Sequence, residues 1–168
     1  MTRISSTGTL RAISVLAGAV PDPEIPVLTL ADLGILRSVH AEDDGHVVVT
    51  LTPTYSGCPA VDPIRASVEH VLSAAGHEHV EVRTVLSPAW TTDWIGDEAR
   101  EKLRTYGIAP PEPARPHAPC ALLLRAPRCP RCGSADTREV SAFGSTPCQS
   151  QHVCNDCLEP FDRFKTLR

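Results

Sequence analysis

Residues 63–85 read PIRASVEHVLSAAGHEHVEVRTV, and the hydrophobic period changes once within them. Ile64, Val68, Val71, Leu72 and Ala75 recur at i, i+4, i+7, i+8 and i+11, which is one face of a helix. Gly76 follows where a left-handed cap costs least. From Val80 to Val85 the pattern alternates apolar and polar, as a half-buried strand does. Working upstream, Ile35–Ala41 and His46–Thr52 flank Glu42-Asp43-Asp44-Gly45, an acidic-Gly cluster between β-rich runs that predicts an antiparallel hairpin. Residues 9–20 place Leu10, Ile13, Ala17 and Val20 at near-helical spacing and stop at Pro21. Downstream, Asp97–Tyr106 has acidic residues in its first turn, Lys102 and Arg104 near its end, and Gly107 just beyond, matching dipole and cap preferences.

The order α-β-β-α-β-α predicts an α+β fold for residues 1–108, a small three-stranded sheet packed with helices. Six prolines in residues 109–128 block regular structure, so APPEPARPHAP reads as an extended linker over 109–127, with Leu122-Leu123-Leu124 apolar enough to dock on a domain. Residues 128–168 form a separate cysteine-rich module.

Composition narrows the function classes. Aromatic residues make up only 4% of the chain, so aliphatic side chains must build the core. Ten basic and fifteen acidic residues precede Arg128, and six and five follow from there, so neither part carries the basic field that nucleic-acid binding needs. No stretch approaches the roughly 20 continuous apolar residues of a membrane span. The N-terminal apolar run is broken by Ser14 and two glycines and reads as a helix, not a leader. A cytoplasmic protein is expected. There, reducing conditions make paired C-x-x-C units metal ligands more often than disulfides, and the seven cysteines are an odd number.

Cys129-Pro-Arg-Cys132-Gly and, 21 residues on, Cys154-Asn-Asp-Cys157 are two such hooks, each able to offer two thiolates to one ion. Structural zinc is the expected occupant, with Thr137–Phe143 and Leu158–Lys165 as the flanking strands of a zinc ribbon. Two independent redox pairs and a rubredoxin-like iron cage are the other readings of the same spacing. A module of about 40 residues cannot bury enough surface to fold alone, and zinc contributes about 10–16 kcal/mol in such peptides. Cys148 and Cys120 are left over.

Cys58 lies in TPTYSGCP, residues 52–59, just before the helix of residues 63–75. A helix N-terminus lowers a thiol pKa, so the sequence predicts an acidic thiol there, while a small buried cap residue is the bland alternative. Asp22 and Glu24, in PDPEIP, put two carboxylates on a proline-stiffened loop. On their own they read as turn formers. His46, His70, His77 and His79 show no spacing that would make Cys58 the nucleophile of a thiol enzyme.

DPEIPVLTLADLGIL (residues 22–36), TPTYSGCPAVDPIR (52–65) and SPAWTTDWIGDEAREKL (87–103) together resemble the three signature stretches of the MIP18 (DUF59) family, whose members assist iron-sulfur cluster assembly or delivery. The resemblance implies that Cys58, Asp22 and Glu24 are the functional positions, handling iron or a cluster transiently. The tail CPRCGSADTREVSAFGSTPCQSQHVCNDCLEPFDRFK (129–165) is similar to that of a branch serving a bacterial phenylacetyl-CoA epoxidase, a multicomponent di-iron monooxygenase of phenylacetate degradation. It implies an accessory maturation protein, not an enzyme, with the reductase and oxygenase subunits as partners. One cysteine cannot ligate a whole cluster, so a homodimer, Cys148 or the client would supply further ligands. The alternative is an adaptor subunit without cluster handling, with the ribbon as docking surface, Cys58 merely packed, and Trp90 and Trp94 as contact residues.

Overall fold

A computed structural model describes residues 7–42, 46–112 and 126–167. Its contacts divide the chain into two compact units, Met1–Trp90 and Thr91–Arg168. That division falls earlier than the boundary at 108 read from the prolines, and the C-terminal unit is larger than the ribbon alone.

The first unit opens with α1 (Thr7–Gly18), followed by the single turn α2 (Leu30–Leu33). The sheet is built from β1 (Leu36–Ala41), β2 (Val47–Leu51) and β3 (Val80–Thr84), with α3 (Val61–Ala74) between the last two. Strand order is β1-β2-β3, with β1 antiparallel to β2 and β3 parallel to it. The three-stranded α+β expectation therefore holds, and the parallel pairing follows from α3 as the crossover. Val47, Val48 and Val49 of the central strand are all fully buried, so β2 is covered on both faces. Ile64, Val68 and Leu72 are the buried stripe of α3, three of the five positions named by its periodicity.

Sequence reading missed α2, although its signals are local. Thr29 Oγ1 accepts from the Asp32 N–H at 3.1 Å and Asp32 Oδ2 accepts from the Thr29 N–H at 2.9 Å, a reciprocal capping box. Gly34 then ends the turn at φ 67°. Trp90 is buried and donates from Nε1 to the Leu33 carbonyl at 2.8 Å, so it is a packing residue of this unit and not an exposed contact residue.

In the second unit, a 3-10 turn (Thr92–Trp94) leads to α4 (Asp97–Tyr106), whose Gly107 cap has φ 97°. The strands are β4 (Ile108–Ala109), β5 (Thr137–Ser141), β6 (Gln149–Cys154) and β7 (Pro160–Phe164), in the order β4-β7-β6-β5. β4 runs parallel to β7, and the other two pairs are antiparallel. Ala109, placed in the linker by sequence, is thus a strand residue. Arg100 fastens this unit by donating to the carbonyls of Ile95 (3.1 Å), Thr92 (2.9 Å) and Pro111. The Leu167 carbonyl accepts from the Thr92 N–H and from the Thr91 hydroxyl, both at 3.1 Å. These bonds and the β4–β7 pairing are why α4 groups with the ribbon. Most of the linker, Cys120 and Leu122–Leu124 lie outside the described residues, as does the tip of the hairpin turn. Among the described residues no helix is long and apolar enough to cross a membrane.

Candidate metal-handling sites

Two groups of thiols matter, one in each unit. In the first, the chain turns back after β2: the Cys58 N–H donates to the Tyr55 carbonyl at 3.2 Å, and the Val61 N–H donates to the Cys58 carbonyl at 3.3 Å as α3 begins. Cys58 is half-buried at the head of this turn. The other side of the site is the loop of residues 20–30, closed by Asp22 N–H to Leu28 O (2.9 Å) and Leu30 N–H to Val20 O (3.0 Å). Ile25 and Leu28, 2% and 0% exposed, pin that loop into the core.

The two segments meet electrostatically. Burial pushes the Cys58 thiol above its ordinary range; the Ala60 N–H and the Thr54 hydroxyl pull it down, and the charges of Glu24 and Asp22 push it further up. The net direction is upward, which corrects the acidic thiol expected from the helix dipole. Cys58 precedes the first residue of α3 by three positions, where the dipole is already weak, and burial, aided by the charges of Glu24 and Asp22, outweighs it. Thr54 was not singled out by sequence; its hydroxyl reaches the thiol only because the turn folds back. Asp22 is itself raised by burial against the opposing N–H bonds of Ile25 and Glu24, and Glu24 by burial and then by Asp22. A thiol whose charged form is disfavoured by burial is the opposite of an activated nucleophile.

In the second unit, Cys129, Cys132, Cys154 and Cys157 place their four sulfurs within 4.8 Å of one another. Cys129 and Cys157 are 3.7 Å apart and Cys132 and Cys154 3.6 Å, close to the ~3.8 Å edge of a tetrahedron with metal–sulfur bonds of about 2.3 Å. The residues therefore fit a four-sulfur ion, and this unit binds metal. Both hooks use one hydrogen-bond pattern. The first cysteine's carbonyl accepts from the residue after the second cysteine, Gly133 to Cys129 at 2.9 Å and Leu158 to Cys154 at 3.1 Å. The first cysteine's N–H donates one residue further on, to Ser134 (2.9 Å) and to Glu159 (3.0 Å).

That geometry demands a positive φ after each hook, which Gly133 adopts freely at 77° and Leu158 adopts at 61°. A leucine there carries about 1–2 kcal/mol of strain that a glycine would not. The Cys157 N–H points at Cys154 Sγ at 3.5 Å. This bond and the Asp156 N–H outweigh burial, which pushes the other way, and the Cys154 pKa falls to about 7. Cys129 and Cys154 are buried with Ala109 and Phe161 in one small core, so half of that core consists of metal ligands. Cys148 is buried 3.0 Å from the Thr146 hydroxyl and is not a member of the four-sulfur group. Its candidacy as a substitute ligand in this cage ends there.

Known proteins share both halves of this arrangement. Residues 6–84 match the iron-sulfur cluster assembly protein family, and residues 123–165 match the PaaD zinc beta ribbon domain. Over 155 residues, 92% of each chain, the sequence is 46% identical to a protein of Escherichia coli (strain K12) described as a putative subunit of 1,2-phenylacetyl-CoA epoxidase. Over 85 residues, 50% of this chain and 80% of the other, it is 40% identical to an Fe-S protein maturation auxiliary factor of Porphyromonas gingivalis (strain ATCC BAA-308 / W83). The crystal structure of a DUF59 domain from Bacillus anthracis superposes with a TM-score of 0.54 at 28% identity, covering 60% of this chain and 95% of that one. The chain belongs to the PaaD family of phenylacetyl-CoA epoxidase components, in which an iron-sulfur cluster assembly domain of the DUF59 type is followed by a zinc ribbon.

Proposed function

We propose that this protein is a cytoplasmic maturation factor, not an enzyme, that takes iron or an iron-sulfur cluster at Cys58, with Asp22 and Glu24, and passes it to the reductase or oxygenase subunit of a phenylacetyl-CoA epoxidase. The observation that carries the reading is the match of residues 6–84 to the iron-sulfur cluster assembly protein family, in a unit whose half-buried Cys58 senses the charges of Glu24 and Asp22. The negative charge that disfavours the bare thiolate favours a bound cation, and uptake of iron exchanges the thiol proton for the metal. Mixed thiolate and carboxylate ligands hold iron without saturating it, which leaves positions for the client's own ligands. Relatives described as Fe-S protein maturation auxiliary factors match about half of the chain, and the iron-sulfur cluster assembly family matches residues 6–84.

In the second unit the four-cysteine cage holds zinc in this reading. Four sulfurs leave no open position, so the ion stabilises the fold and supplies no chemistry. The test is Cys58→Ala in cells that express the epoxidase components. Cluster content of the purified reductase, iron content of the oxygenase and epoxidase activity are expected to fall together, while the variant keeps its zinc. Full metal content of both clients beside the variant refutes the cluster-handling role and leaves the adaptor reading.

A further inference from the structure

The two hooks of the cage repeat one backbone pattern, so their residues can be matched position by position. Arg131 in the first hook and Asp156 in the second each stand just before the hook's second cysteine. Ser134 and Glu159 each stand two residues after that cysteine, and their carbonyls accept the N–H of their own hook's first cysteine, at 2.9 and 3.0 Å. Their side chains go the other way. The Glu159 carboxylate accepts from the Arg131 guanidinium, and the Ser134 hydroxyl donates to the Asp156 carboxylate. Each hook is therefore tied, through equivalent positions, to the segment that follows the other. Asn155 adds a tie to Asp136, from its N–H at 2.9 Å and from Nδ2 at 2.7 Å. Its equivalent in the first hook is Pro130, which has no N–H to donate.

We infer that Arg131 with Glu159, and Ser134 with Asp156, are positioning pairs of the metal cage, lacing one hook to the other so that the ion leaves only when they part. The inference rests on the reading of the cage as a zinc site. None of the four residues is one of the grouped cysteines; they act through the sulfurs. For a sulfur to leave the ion its hook has to swing away from the other hook, and both pairs span that gap. Simple charge balance is the competing account of Arg131, since four thiolates outweigh the charge of a divalent ion. The two accounts part at Glu159. Charge balance makes a cation there tighten the cage, whereas lacing makes it collide with Arg131 and loosen the cage.

The experiment mixes the full-length, zinc-loaded protein with an excess of a chromogenic zinc chelator and follows the rate of zinc transfer. The Arg131 and Glu159 side chains are 69% and 37% exposed, so their attraction alone is worth no more than about fivefold. Reversal replaces attraction by repulsion, and Arg131→Glu and Glu159→Arg are each expected to speed zinc loss about 5–10-fold. The double variant restores the pair with its signs exchanged and should return to within about threefold of the wild type. Ser134→Ala, which removes the hydroxyl from Asp156 and from the Asp136 N–H (3.0 Å), should speed loss about 5–10-fold. Asp156→Asn keeps an acceptor oxygen and should stay within about threefold. If the reversals do not fold, the Ser134 and Asp156 variants decide alone. Slower zinc loss in Glu159→Arg, or a double variant as fast as the faster single one, overturns the lacing in favour of charge balance. Wild-type rates in Arg131→Glu, Glu159→Arg and Ser134→Ala overturn it outright and leave the cage a zinc site. A purified chain that holds no zinc at the four cysteines refutes the zinc reading, and this inference falls with it.

Discussion

Replacing Asp22 by alanine tests how far the loop depends on one side chain. The substitution removes the acceptor of the buried Ile25 N–H (2.8 Å) and of the part-buried Glu24 N–H (2.9 Å). A buried donor left without a partner costs about 1–3 kcal/mol, and the Glu24 donor can recover part of its share from water, so the sum is about 2–4 kcal/mol. Asparagine at the same position keeps both bonds. Burial is the largest influence on Asp22 and opposes its charge, so removing that charge is expected to leave the fold unchanged or slightly firmer at neutral pH.

Sign and window follow from linkage. The folded-state pKa of Asp22 lies above its ordinary 3.8, so the native state binds the proton more readily than the unfolded chain. The contribution of Asp22 to stability is therefore fully present below 3.8 and is lost as pH rises through the folded value. The difference between Asp22→Asn and the wild type should open over that window and close below it. Urea unfolding of the zinc-loaded chain, followed by Trp90 fluorescence in a Trp94→Phe background, reads the first unit directly, because Trp90 is buried there on the Leu33 carbonyl. With an m-value of about 1 kcal/mol/M for so small a unit, Asp22→Ala lowers the midpoint by about 2–4 M. Asp22→Asn destabilised as much as Asp22→Ala would falsify the argument, since the charge and not the turn would then hold the loop.

Two further outcomes follow from the thiols. Stripping the metal from the four-cysteine cage should abolish amide hydrogen-exchange protection across β5, β6 and β7 while β1–β3 stay protected, because Cys129 and Cys154 are half of the small core there; β6 amides that remain slow after chelation would show that the ion is dispensable. Cys58 should be alkylated slowly at neutral pH, with a rate that climbs only towards and beyond the ordinary thiol value of 9.0, and Glu24→Gln should speed it by removing a charge that disfavours the thiolate. Peptide mass spectrometry of zinc-protected protein measures this, and an unchanged rate in Glu24→Gln would mean the two side chains do not sense each other.

The elements that could be read from sequence were those whose signals are local and repeated. The α3 stripe, the β1–β2 hairpin and the α4 caps each announce themselves within a dozen residues. β6 does not, because the first four of its six residues, Gln149–His152, are polar, and Gln149, Ser150 and His152 are nevertheless buried. Its burial comes from neighbouring strands and the cage, which no window of sequence contains. β4 is two residues long and exists only because β7 accepts it as a partner. The four metal ligands were legible from spacing alone. Cys58 was singled out through the family resemblance, but the direction of its pKa was not legible, since the helix is adjacent in sequence whereas the burial that raises the thiol, and the carboxylates that add to it, come from the folded chain.

In the proposed role the two thiol sites serve opposite ends. In the cage, four sulfurs sit at tetrahedral spacing on two hooks with the same backbone bonds, and N–H groups already favour charge on Cys154. An ion there finds a complete, preorganised set and has no reason to leave. Cys58 offers one thiol that must first lose its proton, with oxygen ligands that iron accepts but does not prefer to sulfur. In the proposed transfer, a client presenting thiolates would outcompete this site thermodynamically, and protonation of Cys58 on release would favour departure further. A raised thiol, which would be a defect in a nucleophile or a storage site, suits the proposed donor of iron.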